Sequence, residues 1–353
     1  MSAPVALMQV GLRGVRWRPG ALLAAALVGV SLASLSMGAA GLSLGGVAAA
    51  LGWPGAEASP VEQAILLHLR LPRLLLALAV GAALATSGAL MQGLFRNPLA
   101  DPGLLGVSGG AALGAAVGLL AVGRLPELQA WLRGPLVPAC ALLGGLGAVT
   151  AVTRLSRGRA ASAAVLTMLL AGLAVEALSR AGVGLAQLLA NDQELRDLTF
   201  WMLGSLGGAT WPRLAWILPV LGAGVLLSQR LAPSLDALLL GEAEAAHVGI
   251  DVPRTKLQVV LLTSALVGCT VALTGAIAFV GLVVPHLVRL SGGPAHRRLL
   301  PRAAAGGALL VAAADLAART LAAPAEIPIG VLTALLGAPF FLVLLRRQGG
   351  ASC

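Results

Sequence analysis

The chain has 353 residues, of which 58% are apolar and 11% charged; 24 basic and 14 acidic side chains leave a net charge of +10. A soluble domain carries about 25% charged residues because its surface faces water. This composition therefore excludes an ordinary soluble enzyme, a disordered chain and a secreted disulfide scaffold. The basic residues are scattered instead of clustered, so no nucleic-acid partner is expected; such an excess fits the loops of a polytopic membrane protein.

A helical crossing needs about 20 mostly apolar residues. Taken in chain order, uncharged runs predict crossings at about 20–41, between Arg73 and Arg96, between Asp101 and Arg124, and between Arg133 and Arg154. A fifth lies at 160–190, interrupted by Glu176 and Arg180. The run between Arg213 and Arg230 is short and must start near Phe200 to cross. The stretch from Lys256 to Arg289 is too long for one span, and Gly275, Gly281 and Pro285 divide it into one full helix and one short one. Residues 303–322, with Asp315 and Arg319, and 327–345 complete ten spans. The fold class is all-α, a single transmembrane domain over residues 1–353.

Ten spans put both termini on one side. Segments assigned to the inner side carry sixteen of the 24 basic residues, among them Arg13, Arg16, Arg18, Arg154, Arg157, Arg159, Arg297, Arg298, Arg346 and Arg347. That asymmetry makes residues 1–19, a loop at 231–256 and a tail at 346–353 cytoplasmic. The first apolar run exceeds the 7–15 residues of a secretory signal, which favours an uncleaved anchor. Cys140, Cys269 and Cys353 have neither framework nor metal-ligand spacing and read as fillers plus a terminal thiol. The 46 glycines fall largely inside the spans, where small residues let membrane helices approach closely.

A phosphate-binding loop needs a lysine after a glycine-rich turn. The one lysine, Lys256, follows Val252-Pro253-Arg254-Thr255, so no nucleotide, metal or other cofactor is expected on this chain; ATP and magnesium would sit on a partner. Gly106-Val107-Ser108-Gly109-Gly110 fits G-x-S-x-G and resembles a nucleophile elbow or the serine segment of intramembrane rhomboid proteases, with His286 as a conceivable base for Ser108. The elbow requires a strand-to-helix turn, which a helical bundle does not supply. Glu176 and Arg180 are four apart on one helix face, as are Asp315 and Arg319. Each ionised group at bilayer depth costs about 2.5–3.5 kcal/mol. Such pairs act as internal staples, line a wet route for a polar solute, or, at Glu176 or Asp315, serve an ion-coupled secondary transporter as a proton site.

The segments Arg70-Leu71-Pro72-Arg73, Arg96-Asn97-Pro98-Leu99-Ala100-Asp101-Pro102-Gly103, Phe200-Trp201-Met202-Leu203-Gly204, Leu240-Gly241-Glu242 through Gly249, Phe279-Val280-Gly281 through His286, and Glu326-Ile327-Pro328-Ile329-Gly330 resemble the permease subunits of iron–siderophore, haem and cobalamin ABC importers. The likeness runs in order from about residue 60 to 346. It implies a homodimer in the bacterial inner membrane, two cytoplasmic ATPase subunits and an external solute-binding protein. The cargo it implies is a metal chelate, ferric siderophore first, with cobalamin and haem next. By the same resemblance, Leu240, Gly241, Glu242, Ala245, Ala246 and Gly249 couple to the ATPase, and Arg70, Arg73 and Arg319 dock the binding protein. Glu176 and Arg180 line the pathway, and Asn97, Pro98, Leu99, Asp101 and Pro102 form a cytoplasmic motif. Within that segment, Glu242 to His247 is expected to form a short helix ending at Gly249, and Ser234 or Asp236 to cap another.

Overall fold

A computed structural model describes residues 19–38, 42, 44–50, 59–124, 135–156 and 161–349, and these contain helices and no strand. Residues 1–18, Arg133, Arg157, Arg159 and Cys353 lie outside them. The helices are α1 (Pro19–Ser36), α2 (Leu44–Ala50), α3 (Pro60–Leu94), α4 (Val107–Arg124), α5 (Leu136–Ser156), α6 (Ala161–Leu189), α7 (Asp192–Leu203), α8 (Trp211–Leu238), α9 (Glu242–His247), α10 (Val252–Thr274), α11 (Val280–Gly292), α12 (His296–Thr320) and α13 (Ile329–Gly349). Seven are long and apolar enough to cross a bilayer, and three shorter apolar helices, in α1, α11 and α13, accompany them. These fall at the ten expected spans.

Two boundaries differ from expectation. The sixth span starts at Trp211, and Phe200 belongs to the separate helix α7. Asn191 opens α7 by accepting the Gln193 and Glu194 N–H groups, while Glu194 Oε2 accepts the Asn191 N–H, a reciprocal cap. At its other end α8 runs through Pro233 to Leu238, so the following loop starts at 239 and not at 231. Ser234 and Asp236 therefore lie inside a helix and cap no short one after it. Asp236 instead accepts the backbone N–H of His296, the first residue of α12.

The most enclosed helix is α3, which packs against α8, α10, α11 and α12. Ser59 and Glu62 form a capping box at its start, and it passes through a π-helical turn at Ile65–Arg70. Its crossing with α12 is a backbone-to-backbone contact: a Cβ added at Gly81 would meet the Gly307 carbonyl, and one added at Gly307 would meet that of Gly81. A backbone atom cannot rotate away. Gly81→Ala is expected to force the helices apart at a cost of about 1–3 kcal/mol, readable as a lower thermal midpoint in detergent. Gly147→Ala, where an added Cβ meets nothing, is the matched control.

Glycines also fix the register of the α4–α5 pair. Gly110 packs on Gly144, Gly114 on Cys140 and Gly118 on Val137, an antiparallel ladder that sets Val107 beside Gly145. Gly145 is halfway along α5, so α4 begins at mid-depth. The chain from 95 to 106 must climb back into the bundle to reach it. The Asn97–Pro102 motif is thus re-entrant and not a loop lying wholly on the surface. Similarly, the 13-residue α11 is about 20 Å long by helix rise, too short to cross. Its Gly281 packs on Leu84 and Gly88, within the buried C-terminal third of α3.

Candidate functional site

Irregular backbone at membrane depth needs either protein or a water-filled cavity to satisfy its polar groups. Here two irregular segments, 95–106 and 275–279, meet. Asp101 starts a short 3-10 turn, Pro102–Leu105, by accepting the Gly103 N–H at 2.7 Å, and Asn97 Oδ1 accepts the Leu99 N–H at 2.9 Å. Gly106 then takes a left-handed turn (φ 71°) into α4. Opposite, Gly275 lies against the Trp201 carbonyl and Phe279 adopts φ 66° before α11 begins. Ser205 N–H donates to Thr274 O at 2.7 Å and Ile329 N–H to Gly204 O at 3.2 Å. Three segments far apart in sequence, 200–206, 275–281 and 326–330, are thereby tied together.

Three cavities open around this junction. One of about 320 Å³ lies where these two segments meet, lined by Leu84, Asp101, Pro102, Ser108, Phe279 and Phe341. A second, about 400 Å³, is lined by Ser108, Glu176, Arg180, Gln187, Trp201 and Met202. A third, about 610 Å³, runs along α13 past Met202, Ala338 and Pro339. Ala276 borders all three and Ser108 the first two, so the cavities adjoin one another around this junction and together make a cleft.

Glu176 and Arg180 pair in the cleft but are unequally buried. Arg180 Nε donates to Glu176 Oε1 at 3.1 Å; the Arg180 side chain is 78% exposed and that of Glu176 25%. Glu176 Oε2 is buried without a hydrogen-bond partner, against Gly109 in the first turn of α4. A side chain at Gly109 would displace the carboxylate. An exposed ion pair contributes only about 0–1 kcal/mol, so the Arg180 guanidinium is cheaply lent to another anion entering the cleft.

The serine and its candidate base are not joined. Ser108 lies in the first turn of a helix, and among the described residues no strand precedes it. The His286 imidazole packs edge-on to Phe340 with ring centroids 6.1 Å apart, and neither of its nitrogens has a hydrogen-bond partner. The protease alternative therefore lacks its dyad.

At the opposite extreme of exposure is the segment between α8 and α10. Gly241 (φ 130°) and Gly249 (φ 87°) bracket α9, as expected for Glu242–His247 ending at Gly249. Ala245 is fully buried and anchors α9 to the bundle, while Lys256 Nζ holds Glu242 Oε1 at 2.7 Å. Leu240 and Val248 point outward, 77% and 70% exposed. Ala246 lies in the same short helix, exposed like His247.

The three arginines Arg70, Arg73 and Arg319 gather where α1, α3 and α12 meet. Arg73 Nε donates to Asp315 Oδ1 at 2.8 Å and its Nη1 to Glu326 at 3.0 Å. Arg319 Nε donates to Asp315 Oδ2 at 3.1 Å and its Nη2 to Ser34 Oγ at 2.8 Å, and Arg70 Nη1 donates to Leu35 O at 2.6 Å. The staple reading of Asp315 and Arg319 thus extends to a network joining three helices.

A family model, that of the FecCD transport family, matches residues 23–347. The chain belongs to this family. It is 47% identical over 328 residues to the hemin transport system permease protein HmuU of Yersinia pestis, covering 91% of this chain and 93% of HmuU. With the vitamin B12 import system permease protein BtuC of Vibrio vulnificus it shares 42% over 298 residues, 84% of this chain and 87% of that one. A solved structure described as an inward-facing conformation of a metal-chelate type ABC transporter superposes with a TM-score of 0.79 at 33% identity, over 92% of this chain and 97% of the other. This FecCD chain is a multi-pass transmembrane permease subunit of an ABC importer. Sequence reasoning missed the mid-depth start of α4 and the separate amphipathic helix α7. The second had a readable signal in Asn191-x-x-Glu194.

Proposed function

We propose that the permease works as a homodimer in the bacterial inner membrane and passes haem from an external solute-binding protein to the cytoplasm, driven by two cytoplasmic ATPase subunits that carry ATP and magnesium. The observation that carries this reading is the set of adjoining cavities where the starts of α4 and α11 meet, with one exposed, weakly held arginine lining it. A bulky chelate bearing carboxylates fits a cleft whose walls are apolar and whose mobile charge is Arg180. The 47% identity to a hemin permease favours haem over the ferric siderophore expected first, and cobalamin stands second on the 42% identity to BtuC. The exposed apolar faces around Leu185 and Leu188 of α6 and Leu335 and Leu342 of α13 flank the cleft and suit a second copy across it.

The coupling role falls to Leu240, Gly241, Glu242, Ala245, Ala246 and Gly249. Asn97, Pro98, Leu99, Asp101 and Pro102 form a family motif on the cytoplasmic side, of which Asp101 and Pro102 reach the cleft, and both termini face the cytoplasm. Docking of the binding protein belongs to the opposite rim. There Arg70, Arg73 and Arg319 are buried, the latter two at most 13% exposed at their side chains. They support this surface from beneath, and the half-exposed Glu326 lies at its edge.

The test is uptake by proteoliposomes containing the permease, its ATPase and its binding protein. ATP-dependent accumulation of haem is expected. Accumulation of cobalamin instead would move the reading to the second cargo, and uptake without nucleotide would refute the ATPase-driven mechanism. In the same assay Glu176→Gln removes the anion that competes for Arg180. Cargo should then bind more tightly and leave more slowly, lowering KM and the maximal rate by up to about fivefold, with stability changed by less than about 1 kcal/mol. Equal losses of stability and transport would return the pair to a staple.

A further inference from the structure

Asp236 lies in the last turn of α8, three residues before the exposed segment that starts at Leu239. One of its oxygens, Oδ1, accepts both the His296 backbone N–H at 2.7 Å and the ring Nδ1–H at 2.8 Å. A carboxylate here satisfies an N–H that the start of α12 leaves without an intrahelical partner. The geometry selects the tautomer with the proton on Nδ1. The other ring nitrogen, Nε2, is buried without a partner and abuts Gly93 near the end of α3, where a Cβ would occupy its position.

The residue before Gly93 continues the chain of contacts. Gln92 is 2% exposed, and its Nε2 donates to Gly281 O at 3.4 Å and Leu282 O at 3.2 Å, while its Oε1 accepts from Arg289 Nη1 at 3.0 Å. The choice of acceptor has a cause. In a helix the Gly281 carbonyl would be paired by the N–H of residue 285, but residue 285 is proline and has none. Gln92 supplies the missing donor, binding the first turn of α11 directly to α3. That turn follows residues 276–279, which border the cleft.

We propose that Asp236, His296 and Gln92 are positioning residues that carry displacement of the 239–251 segment to the cleft-lining start of α11. Close-packed, hydrogen-bonded contacts transmit displacement because they cannot deform continuously. The path runs from α8 to α12 through Asp236 and His296, to α3 through Gly93, and to α11 through Gln92. This inference rests on the reading that the ATPase docks at 239–251, and the two fail separately.

The experiment is hydrogen exchange at 276–284 in the full complex of permease and ATPase, with and without ATP plus vanadate. The wild-type complex is expected to change protection there on adding nucleotide. Asp236→Ala and Gln92→Leu should keep ATPase binding and hydrolysis, lose that nucleotide-dependent change, and transport about tenfold less solute per ATP. Asp236→Asn keeps an acceptor at Oδ1 and should restore both readouts. A nucleotide-dependent change that persists in the Ala and Leu variants overturns the linkage, as does an Asn variant no better than Ala, or a wild type with no change. An ATPase that stays bound after Leu240 and Val248 are made acidic would instead remove the docking reading.

Discussion

Asp315→Ala is expected to destabilise the protein by about 3–5 kcal/mol, enough to prevent recovery of a monodisperse chain. The carboxylate is 1% exposed and each of its oxygens takes one guanidinium, Arg73 on Oδ1 and Arg319 on Oδ2. Removing it leaves two cations largely out of water, with Glu326, Ser34 Oγ and Ser34 O as their remaining partners among the described residues. The loss far exceeds that of an exposed pair such as Glu176–Arg180, because neither arginine can move out into solvent at little cost. Asp315→Asn keeps an acceptor oxygen and should recover part of the stability. Thermal unfolding in detergent measures both. A fully stable Asp315→Ala chain that no longer binds the solute-binding protein would overturn the buried-staple assignment and make these arginines the docking surface itself.

Legibility of the fold followed the bilayer's one-dimensional demand for apolar length. The ten spans were readable because charges such as Arg73, Arg96, Arg124 and Arg154 mark the ends of uncharged runs, and depth alone decides where a charge is tolerable. The short helix after Lys256 was readable because Gly275, Gly281 and Pro285 interrupt an over-long run. What composition does not encode is depth within an apolar run. Val107 starts α4 halfway along α5, and only the glycine ladder Gly110–Gly144, Gly114–Cys140 and Gly118–Val137 reveals it. The end of α8 was misread because Ser234 and Asp236 are good caps in isolation. A tertiary partner, the start of α12, claims Asp236 instead.

The site divides along the same line. Glu176 and Arg180 were identifiable as a pair from their spacing, since four residues place two side chains on one helix face. Their inequality was not, because it depends on Gly109 of another helix, which allows Glu176 inward and leaves Arg180 exposed. The outward arginines illustrate the converse. Spacing could pair Arg319 with Asp315, but the contact of Arg73 with the same carboxylate links residues 242 apart in the chain.

Leu240→Asp combined with Val248→Asp should abolish ATP-driven uptake while leaving the permease folded. Both side chains are more than two-thirds exposed, on a segment that polar and charged neighbours keep at the membrane surface, so they contribute little to the permease's own core. Their sole gain in free energy comes from a partner that covers them. The backbone beneath is fixed independently, by buried Ala245, by the Lys256–Glu242 pair at 2.7 Å and by Asp251, which accepts the Arg254 N–H at the start of α10. A rigid platform with two apolar knobs is what a docking helix requires, since preorganisation lowers the ordering cost of binding. Truncating a hot-spot residue at the centre of an interface costs about 2 kcal/mol or more, a loss of roughly thirtyfold in affinity. A buried aspartate adds desolvation to that. The double variant should therefore lose the ATPase on size exclusion yet unfold at the wild-type temperature. Lys256→Met breaks the platform instead of the knobs and should weaken co-elution less. If the acidic double variant still co-elutes with the ATPase and transports normally, the engine is gripped elsewhere on the inner face.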